Sequence, residues 1–437
     1  MKQWLLALLL AVPGVAQVAA YKGFTLIDGN GGAPVSGAAM IVENGRIAWV
    51  GPAAQLKAPQ GAAVKDLSGK FVMPGIIDLH VHVSVGSGLD QVPKKYFTRE
   101  NVEKSLKMYA SYGVTSVVSM GTDQPLVYEI RQKQRGGHPL EARIFTAGRG
   151  FTGKGGFPTA LAGIEGVPYE VDTPQQAVAD VEELASHHPD LVKIWVDDRL
   201  GRDPKIRIAL SAAIIQAAHK HGLKVAAHIF YLQDAKQLVA AGLDVLAHSV
   251  RDHPVDNELI GLMQQHGAWQ IATLSREAST FAFGAPAPFL NDPFFSRAVS
   301  PEVLATLQSA AFQKKTASDP DFPRYPGFLD TAKRNLKRLA DAGVLYGFGT
   351  DAGPPLRFAG YSAHWEAQLM VEAGLTPMQV ITAATKSGAA YLGASTDLGT
   401  IEKGKWADFL VMTANPLVNI RNTRTIEAVY IAGNRVN

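Results

Sequence analysis

Phe71-Val72-Met73-Pro74-Gly75-Ile76-Ile77-Asp78-Leu79-His80-Val81-His82-Val83 decides how this chain is read. An apolar run rises out of a Pro-Gly turn and ends in two histidines separated by one residue. Short, apolar and rich in Ile and Val, the run has the pattern of a buried strand. On a strand, residues i and i+2 share a face, so His80 and His82 point the same way, as two imidazole ligands of one metal ion must. A half-buried strand carrying two histidines by chance gives the same local pattern, so the rest of the chain has to decide.

Downstream, apolar strand-like runs alternate with helical patterns, the mark of βα units around a parallel sheet. Eight such runs are expected, at 76–83, 114–120, 144–147, 191–196, 224–230, 244–250, 269–274 and 345–351. Helical stretches at 99–112, 173–187, 211–220 and 232–241 fill gaps between them, and Gly113, Gly222 and Gly242 stand where C-capping glycines belong. Eight units in series is the count of a (β/α)8 barrel.

Two connections are long. Residues 148–171 are Gly-rich and contain Gly148-Arg149-Gly150-Phe151-Thr152-Gly153, formally a dinucleotide fingerprint. Gly155, Gly156 and Pro158 follow at once, so no helix N-terminus is expected to receive a phosphate, and the fingerprint is rejected. The other runs over 279–327 with Phe281, Phe283, Phe289, Phe294 and Phe295 among prolines, and reads either as a substrate lid or as a surface subdomain with its own small core.

Barrel enzymes place their chemistry at the C-terminal ends of strands. Strand one carries His80 and His82, strand four Lys193, strand five ends at His228, strand six at His248 and strand eight at Asp351. Singly, each has a bland explanation: a satisfied core histidine, or an aspartate capping the next helix. A lysine inside an apolar strand is harder to excuse, because an unpaired buried ammonium is costly. Four histidines, an aspartate and a lysine in this one pattern point to a metal site.

Pro74-Gly75-Ile76-Ile77-Asp78-Leu79-His80-Val81-His82 resembles the first-strand signature of the amidohydrolase superfamily, metal-dependent hydrolases on a (β/α)8 barrel. Within it the chain is similar to the imidazolonepropionase-like and Xaa-Pro/Xaa-Arg dipeptidase-like branch. The passage from residues 382–385 to 399–408 also looks like that family's crossing out of the barrel. The resemblance implies an α/β fold with a TIM barrel over 76–385 and a small β-sandwich formed from both termini, 21–75 and 386–437. Strand patterns at both ends, with an Asn44-Gly45 hairpin signal, agree with such a sandwich.

By the same resemblance His80, His82 and Asp351 hold one divalent metal ion, His228 and His248 a second, and an N-carboxylated Lys193 bridges the two. Zinc suits these ligands first, with manganese and iron next. A free Lys193 ammonium would be repelled by two dications, whereas desolvation and cations lower its pKa and expose a nucleophilic amine. The implied reaction is hydrolysis of a C–N amide bond by a metal-bridging hydroxide, with Asp351 as proton shuttle and Tyr231 as donor to the developing oxyanion. The expected substrate is a small-molecule amide, either a dipeptide or an N-acyl amino acid that includes aromatic ones. Arg251 and Arg276, just past strands six and seven, are the candidates for its carboxylate, and His253 and His364 are further candidate contacts. A cyclic-amide or lactone hydrolase on the same centre is the alternative, and a non-catalytic exported binding protein a distant one.

With 437 residues, 47% apolar and 19% charged, the chain has the balance of a globular protein, and a net charge of +3 without a basic block argues against nucleic acid as a partner. Lys2, the apolar run 4–12 and the small residues Val18-Ala19-Ala20 read as a signal peptide over 1–20, with the mature protein starting near Tyr21 in the periplasm or outside the cell. The run is too short for a comfortable membrane span, so no stable span is expected after cleavage, while a homo-oligomer is compatible with the sequence. Zero cysteines leaves stability to the core and to metals.

Overall fold

The computed structural model describes residues 18–437, so most of the expected signal peptide lies outside the described residues. Val18–Leu26, the first strand, pairs antiparallel with Val35–Glu43 and parallel with Ala63–Asp66 and Phe71–Pro74. The C-terminal strands Phe409–Met412, Ile426–Ile431 and Asn434–Arg435 continue from Phe71–Pro74, and Arg46–Pro52 closes the far edge, giving one eight-stranded sheet from both ends of the chain. Val35–Glu43 and Arg46–Pro52 form the expected hairpin, with Asn44 and Gly45 both at positive φ (50° and 77°). Tyr21, Phe24, Met40, Val72, Phe409 and Tyr430 are among the residues of its own apolar core.

The chain leaves this sheet within one residue. Phe71–Pro74 belongs to it, whereas Ile76–Val81 pairs in parallel with Val114–Ser119. Gly75 makes the switch possible, since a Cβ there would stand 2.1 Å from Thr115 Oγ1. Ile76–Val81, Val114–Ser119 and Arg143–Thr146 form one parallel sheet. Val192–Trp195, Val225–His228, Val245–Ala247, Trp269–Ile271 and Leu345–Gly347 form most of another. All eight expected strand positions are therefore strands, and the helices Arg99–Ser111, Pro174–Ser186, Ile208–Lys220 and Leu232–Ala240 fall where helical patterns were read.

Backbone hydrogen bonds also join the two parallel sheets. Leu79 N donates to Phe348 O (2.8 Å) and His82 N to Ala352 O (2.7 Å), while Asp190 N donates to Thr146 O (2.9 Å). Their inward residues share one apolar cluster, with Ile77, Leu79 and Val118 from one sheet and Ala226, Val245 and Ile271 from the other. Gly347 has no side chain because Leu79 fills that place, 2.5 Å from where its Cβ would stand.

Of the two long connections, the first departs from the sequence reading. Residues 148–171 carry two short strands, Phe151–Gly153 and Tyr169–Val171, which pair with each other and extend the larger parallel sheet through Ile194. They were masked by glycines and by their length of three residues each. The 279–327 segment folds into the helices Pro293–Ser296, Pro301–Gln308 and Ala310–Ala317. Phe283, Leu290, Phe295, Val303 and Leu307 pack with Tyr112, Phe358 and Tyr361 in a small separate core, the surface-subdomain alternative. Among the described residues no helix is long and apolar enough to cross a membrane.

Candidate metal centre and substrate cavity

Six of the predicted residues converge at the C-terminal ends of the parallel strands. His80 and His82 leave the end of Ile76–Val81 on one face, with ring centroids 5.5 Å apart. His80 faces His248 at 4.7 Å, and His248 faces His228 at 4.2 Å. Asp351 Oδ1 lies 3.0 Å from His82 Nε2 and 3.5 Å from His80 Nε2. Lys193 Nζ lies 3.4 Å from His80 Nε2. Ligand atoms of His80, His248 and Asp351 all fall within 4.8 Å of one another. His248 and Asp351 both sit at positive φ (89° and 57°), a backbone state unusual outside glycine that turns their side chains in at the strand ends.

The electrostatics suit a metal. Burial pushes the pKa of all four imidazoles down, His228 to about 4, so their ring nitrogens offer lone pairs rather than protons at neutral pH. Burial also pulls the Lys193 ammonium down to about 7, against the pull of Asp351. Burial works to raise Asp351, but Arg357 and the His80 and His82 rings outweigh it and hold the carboxylate well below its usual range.

Each of three imidazoles has one nitrogen engaged by a neighbour. His82 Nδ1 pairs with Thr122 Oγ1 (2.9 Å), His248 Nδ1 with Thr273 Oγ1 (2.6 Å) and His228 Nε2 with Asp197 Oδ2 (2.7 Å). The opposite nitrogen of each is then left for a ligand, the outer-shell arrangement that metal-binding histidines require. The donor set therefore fits divalent metal ions. Asp78, four residues after Pro74, ties the centre together: it accepts from His80 N (3.2 Å), Thr350 N (3.0 Å) and Thr350 Oγ1 (2.7 Å). Burial raises its carboxyl to about 8.

His82, His228 and Asp351 line a cavity of about 150 Å³ whose apolar wall includes Phe157, Leu161, Trp195 and Pro354. Arg199, Arg276 and Arg357 also line it. Of the predicted substrate contacts, Arg276 is the one placed here, held by Glu277 (2.8 Å) and 4.0 Å from Asp351.

The other four need correction. Arg251 is 1% exposed and turned inward: its Nη1 donates to Ile229 O and Ser249 O (2.9 Å each), and its Nε lies 3.0 Å from Glu277. It is a structural cation between strand ends, not a cavity residue. His364 is buried away from the cavity, bonded to Tyr112 O (2.8 Å) and Thr423 Oγ1 (2.9 Å). Tyr231 and His253 line a neighbouring open groove with Asp198, Lys205 and Asp252. The Tyr231 phenol donates to Asp198 (2.8 Å) there, and burial followed by that carboxylate raises its pKa. Asp197, Arg199 and Arg357 were not singled out by sequence reading. Asp197 and Arg199 follow strand four directly, which was a usable signal, while Arg357 lies in a Pro-rich loop that offers none.

Comparison with known proteins gives the family of the chain. Residues 71–436 match the family model described as "Amidohydrolase family". An imidazolonepropionase of Deinococcus radiodurans is 26% identical over 431 residues, covering 91% of this chain and 92% of that protein. The structure of a Xaa-Pro dipeptidase with bound methionine superposes with a TM-score of 0.73 at 24% identity, covering 96% of this chain and 99% of the other. Phenylurea hydrolase B superposes with a TM-score of 0.72 at 24% identity, covering 96% and 97%. With the family model spanning most of its length and the metal-ligand pattern in place, the chain belongs to the amidohydrolase family of hydrolases.

Proposed function

We propose that the protein is a binuclear metal-dependent hydrolase that cleaves a C–N amide bond in a small substrate bearing a free carboxylate, a dipeptide or an N-acyl amino acid. The observation that carries this is the convergence of four low-pKa imidazoles, Asp351 and Lys193 at the strand ends, with His82, His228 and Asp351 reaching the cavity. The ring-to-ring chain His82–His80–His248–His228 is longer than one ion needs and supports two. An N-carboxylated Lys193 would supply the bridging anion, and its readiness to lose a proton near neutrality supports that. Two divalent ions, zinc foremost, would supply an activated water and a polarised carbonyl.

The chain's own residues do the rest. Asp351 Oδ1, between His80 and His82, takes a proton and returns it to the leaving nitrogen. Trp195, Phe157 and Leu161 exclude water and accept an apolar side chain. Arg276 lines the same cavity with its guanidinium held by Glu277. Tyr231 serves the oxyanion only by leaving Asp198 for the cavity. The hydrogen bonds between the two parallel sheets and the shared inner cluster support a closed (β/α)8 barrel as the scaffold, with the terminal sheet as its sandwich domain.

The deciding experiment loads purified protein with zinc and bicarbonate and screens dipeptides, N-acyl amino acids, cyclic amides and lactones. Hydrolysis of the linear amides supports the reading. Turnover of lactones or cyclic amides alone moves the substrate to that class, and metal-dependent turnover of none overturns it.

Export is part of the same proposal. The strand Val18–Leu26 bears on where processing occurs: Val18, Ala19 and Ala20 pair with Glu43, Val42 and Ile41, and Ala20 is fully buried. Cleavage after Ala20 would remove three paired residues, whereas Gly14-Val15-Ala16 offers small residues that leave the strand whole. Intact-mass analysis of protein exported from a bacterial host is expected to give an N-terminus at Gln17, and retention of Met1 would overturn export by cleavage.

A further inference from the structure

Resting on the reading of this cavity as an amide-hydrolase site, we propose that Arg357 is its specificity-determining residue. It receives the substrate carboxylate once Asp351 is committed to metal. Three arginines line the cavity, and their partners separate them. Arg276 keeps Glu277 at 2.8 Å, with Asp351 Oδ2 only at 4.0 Å, and Arg199 keeps Asp203 at 2.5 Å. The ion pair of Arg357 is with Asp351 itself, Nη1 on Oδ2, while Oδ1 of the same carboxylate faces His80 and His82.

A carboxylate shared with cations has little charge left for a guanidinium. The Arg357 side chain is only 18% exposed, and a buried cation that loses its partner is costly until another anion replaces it. A substrate carboxylate is that anion, and the planar guanidinium matches it with two parallel donors. Arg276 differs in that its main partner, Glu277, is shared with Arg251 and with no proposed metal ligand, so metal binding leaves that pair in place.

The backbone holds Arg357 ready for this. Gly353 N donates to Arg357 O (2.8 Å), and Leu356 N donates to Gly88 O (2.9 Å). Gly353, at φ +123°, packs so closely on the first parallel strand that a Cβ would lie 1.9 Å from His82 O. The loop that carries Arg357 is thus fixed to the strand that carries two metal ligands. The substrate it selects has its carboxylate on the Arg357 side and an apolar or aromatic side chain against Trp195, Phe157 and Pro354.

The test reads binding rather than turnover. L-Phenylalanine and L-phenylalaninamide, which differ in the carboxylate alone, are titrated calorimetrically into zinc-loaded and metal-depleted protein. Zinc-loaded wild type is expected to prefer the carboxylate, and the preference to shrink in metal-depleted protein, where Asp351 retains Arg357. Arg357→Gln is expected to lose on the order of thirtyfold or more in affinity for L-phenylalanine, with little change for the amide, because truncating one partner of a desolvated charge pair costs that much. Arg276→Gln is expected to keep the preference. If Arg357→Gln does not fold, Arg357→Lys is read instead, and its expected result is a several-fold loss of preference, since charge remains without the fork. Preference surviving in the Arg357 variants, or lost in Arg276→Gln alone, overturns the proposal. Failure of the amide screen would sink the reaction while these titrations still decide the role of Arg357.

Discussion

His228 Nε2 stands 2.7 Å from Asp197 Oδ2, with both side chains buried, so a carboxylate two residues beyond strand four sets the orientation of a ring at the end of strand five. Burial works to raise the Asp197 carboxyl, but the His228 hydrogen bond and charge, with Arg251 nearby, hold it below the usual range. An ionised Asp197 accepts a hydrogen bond from His228 Nε2–H, which leaves Nδ1 as the lone-pair nitrogen. Asp197→Asn keeps the shape but no longer dictates the tautomer. Metal affinity is expected to fall about 10- to 100-fold, as for other outer-shell partners of metal-binding histidines. Competition with a chelator measures it, and unchanged affinity would make Asp197 a structural acid only.

Lys193 Nζ, 3.4 Å from His80 Nε2, stands where a bridging anion belongs if two ions bind. Elemental analysis of protein grown with zinc and bicarbonate is expected to give close to two ions per chain. Lys193→Ala removes the bridge and is expected to lose the second ion preferentially, since His80, His82 and Asp351 remain as one set and His228 and His248 keep only two ligands. One ion or fewer in the wild type under those conditions would defeat the binuclear reading.

The ligand frame was legible because strand geometry is a short-range rule. The alternation that puts His80 and His82 on one face, and the strand-end positions of Lys193, His228, His248 and Asp351, follow from local pattern and the logic of parallel strands. The substrate contacts were less legible, because they depend on which way a loop turns after its strand. Arg251 lies three residues beyond His248, as Tyr231 lies three beyond His228. The first folds back to Ile229 O and Ser249 O, and the second opens to the Asp198 groove. Arg357 reaches Asp351 through a turn with Leu356 at φ 68°, a conformation that no residue preference in Pro354-Pro355-Leu356 announces.

Glu366 gives the molecule a pH dependence of its own. It is buried on the helix Tyr361–Glu372 and accepts from Leu274 N (2.9 Å) and Ser275 N (2.6 Å). Burial, the largest influence, raises its pKa from 4.5 to about 7 despite those bonds. A carboxyl whose folded pKa is raised favours the folded state most below its unfolded pKa, and that contribution is lost as pH climbs through the folded value. Stability linked to Glu366 should therefore decline between about pH 4.5 and about pH 7, by at most about 3 kcal/mol. Glu366→Gln cannot ionise, so its chemical-unfolding midpoint is expected to fall less than that of wild type between pH 5 and pH 8. Parallel decline in both proteins would assign the effect elsewhere.

Asp351 is where the proposed metal binding and proton transfer meet an observed charge pair, since Oδ1 faces His82 and His80 while Oδ2 holds Arg357. Asp351→Asn preserves the size of the side chain and one oxygen that can lean toward a metal, but an amide neither accepts nor returns a proton at neutral pH. Loss of a general acid–base group typically costs about a hundred- to ten-thousand-fold in rate, and the loss is expected in kcat, with a much smaller change in KM. His80, His82, Lys193, His228 and His248 remain, so most of the metal should be retained, which separates a proton-transfer defect from a collapsed centre. Metal content and kcat measured on the same preparation settle it: near-normal turnover at full occupancy would remove Asp351 as the shuttle. The proton would then have to travel through Tyr231 or His253, and either route requires a side chain to leave the neighbouring groove before it reaches the cavity.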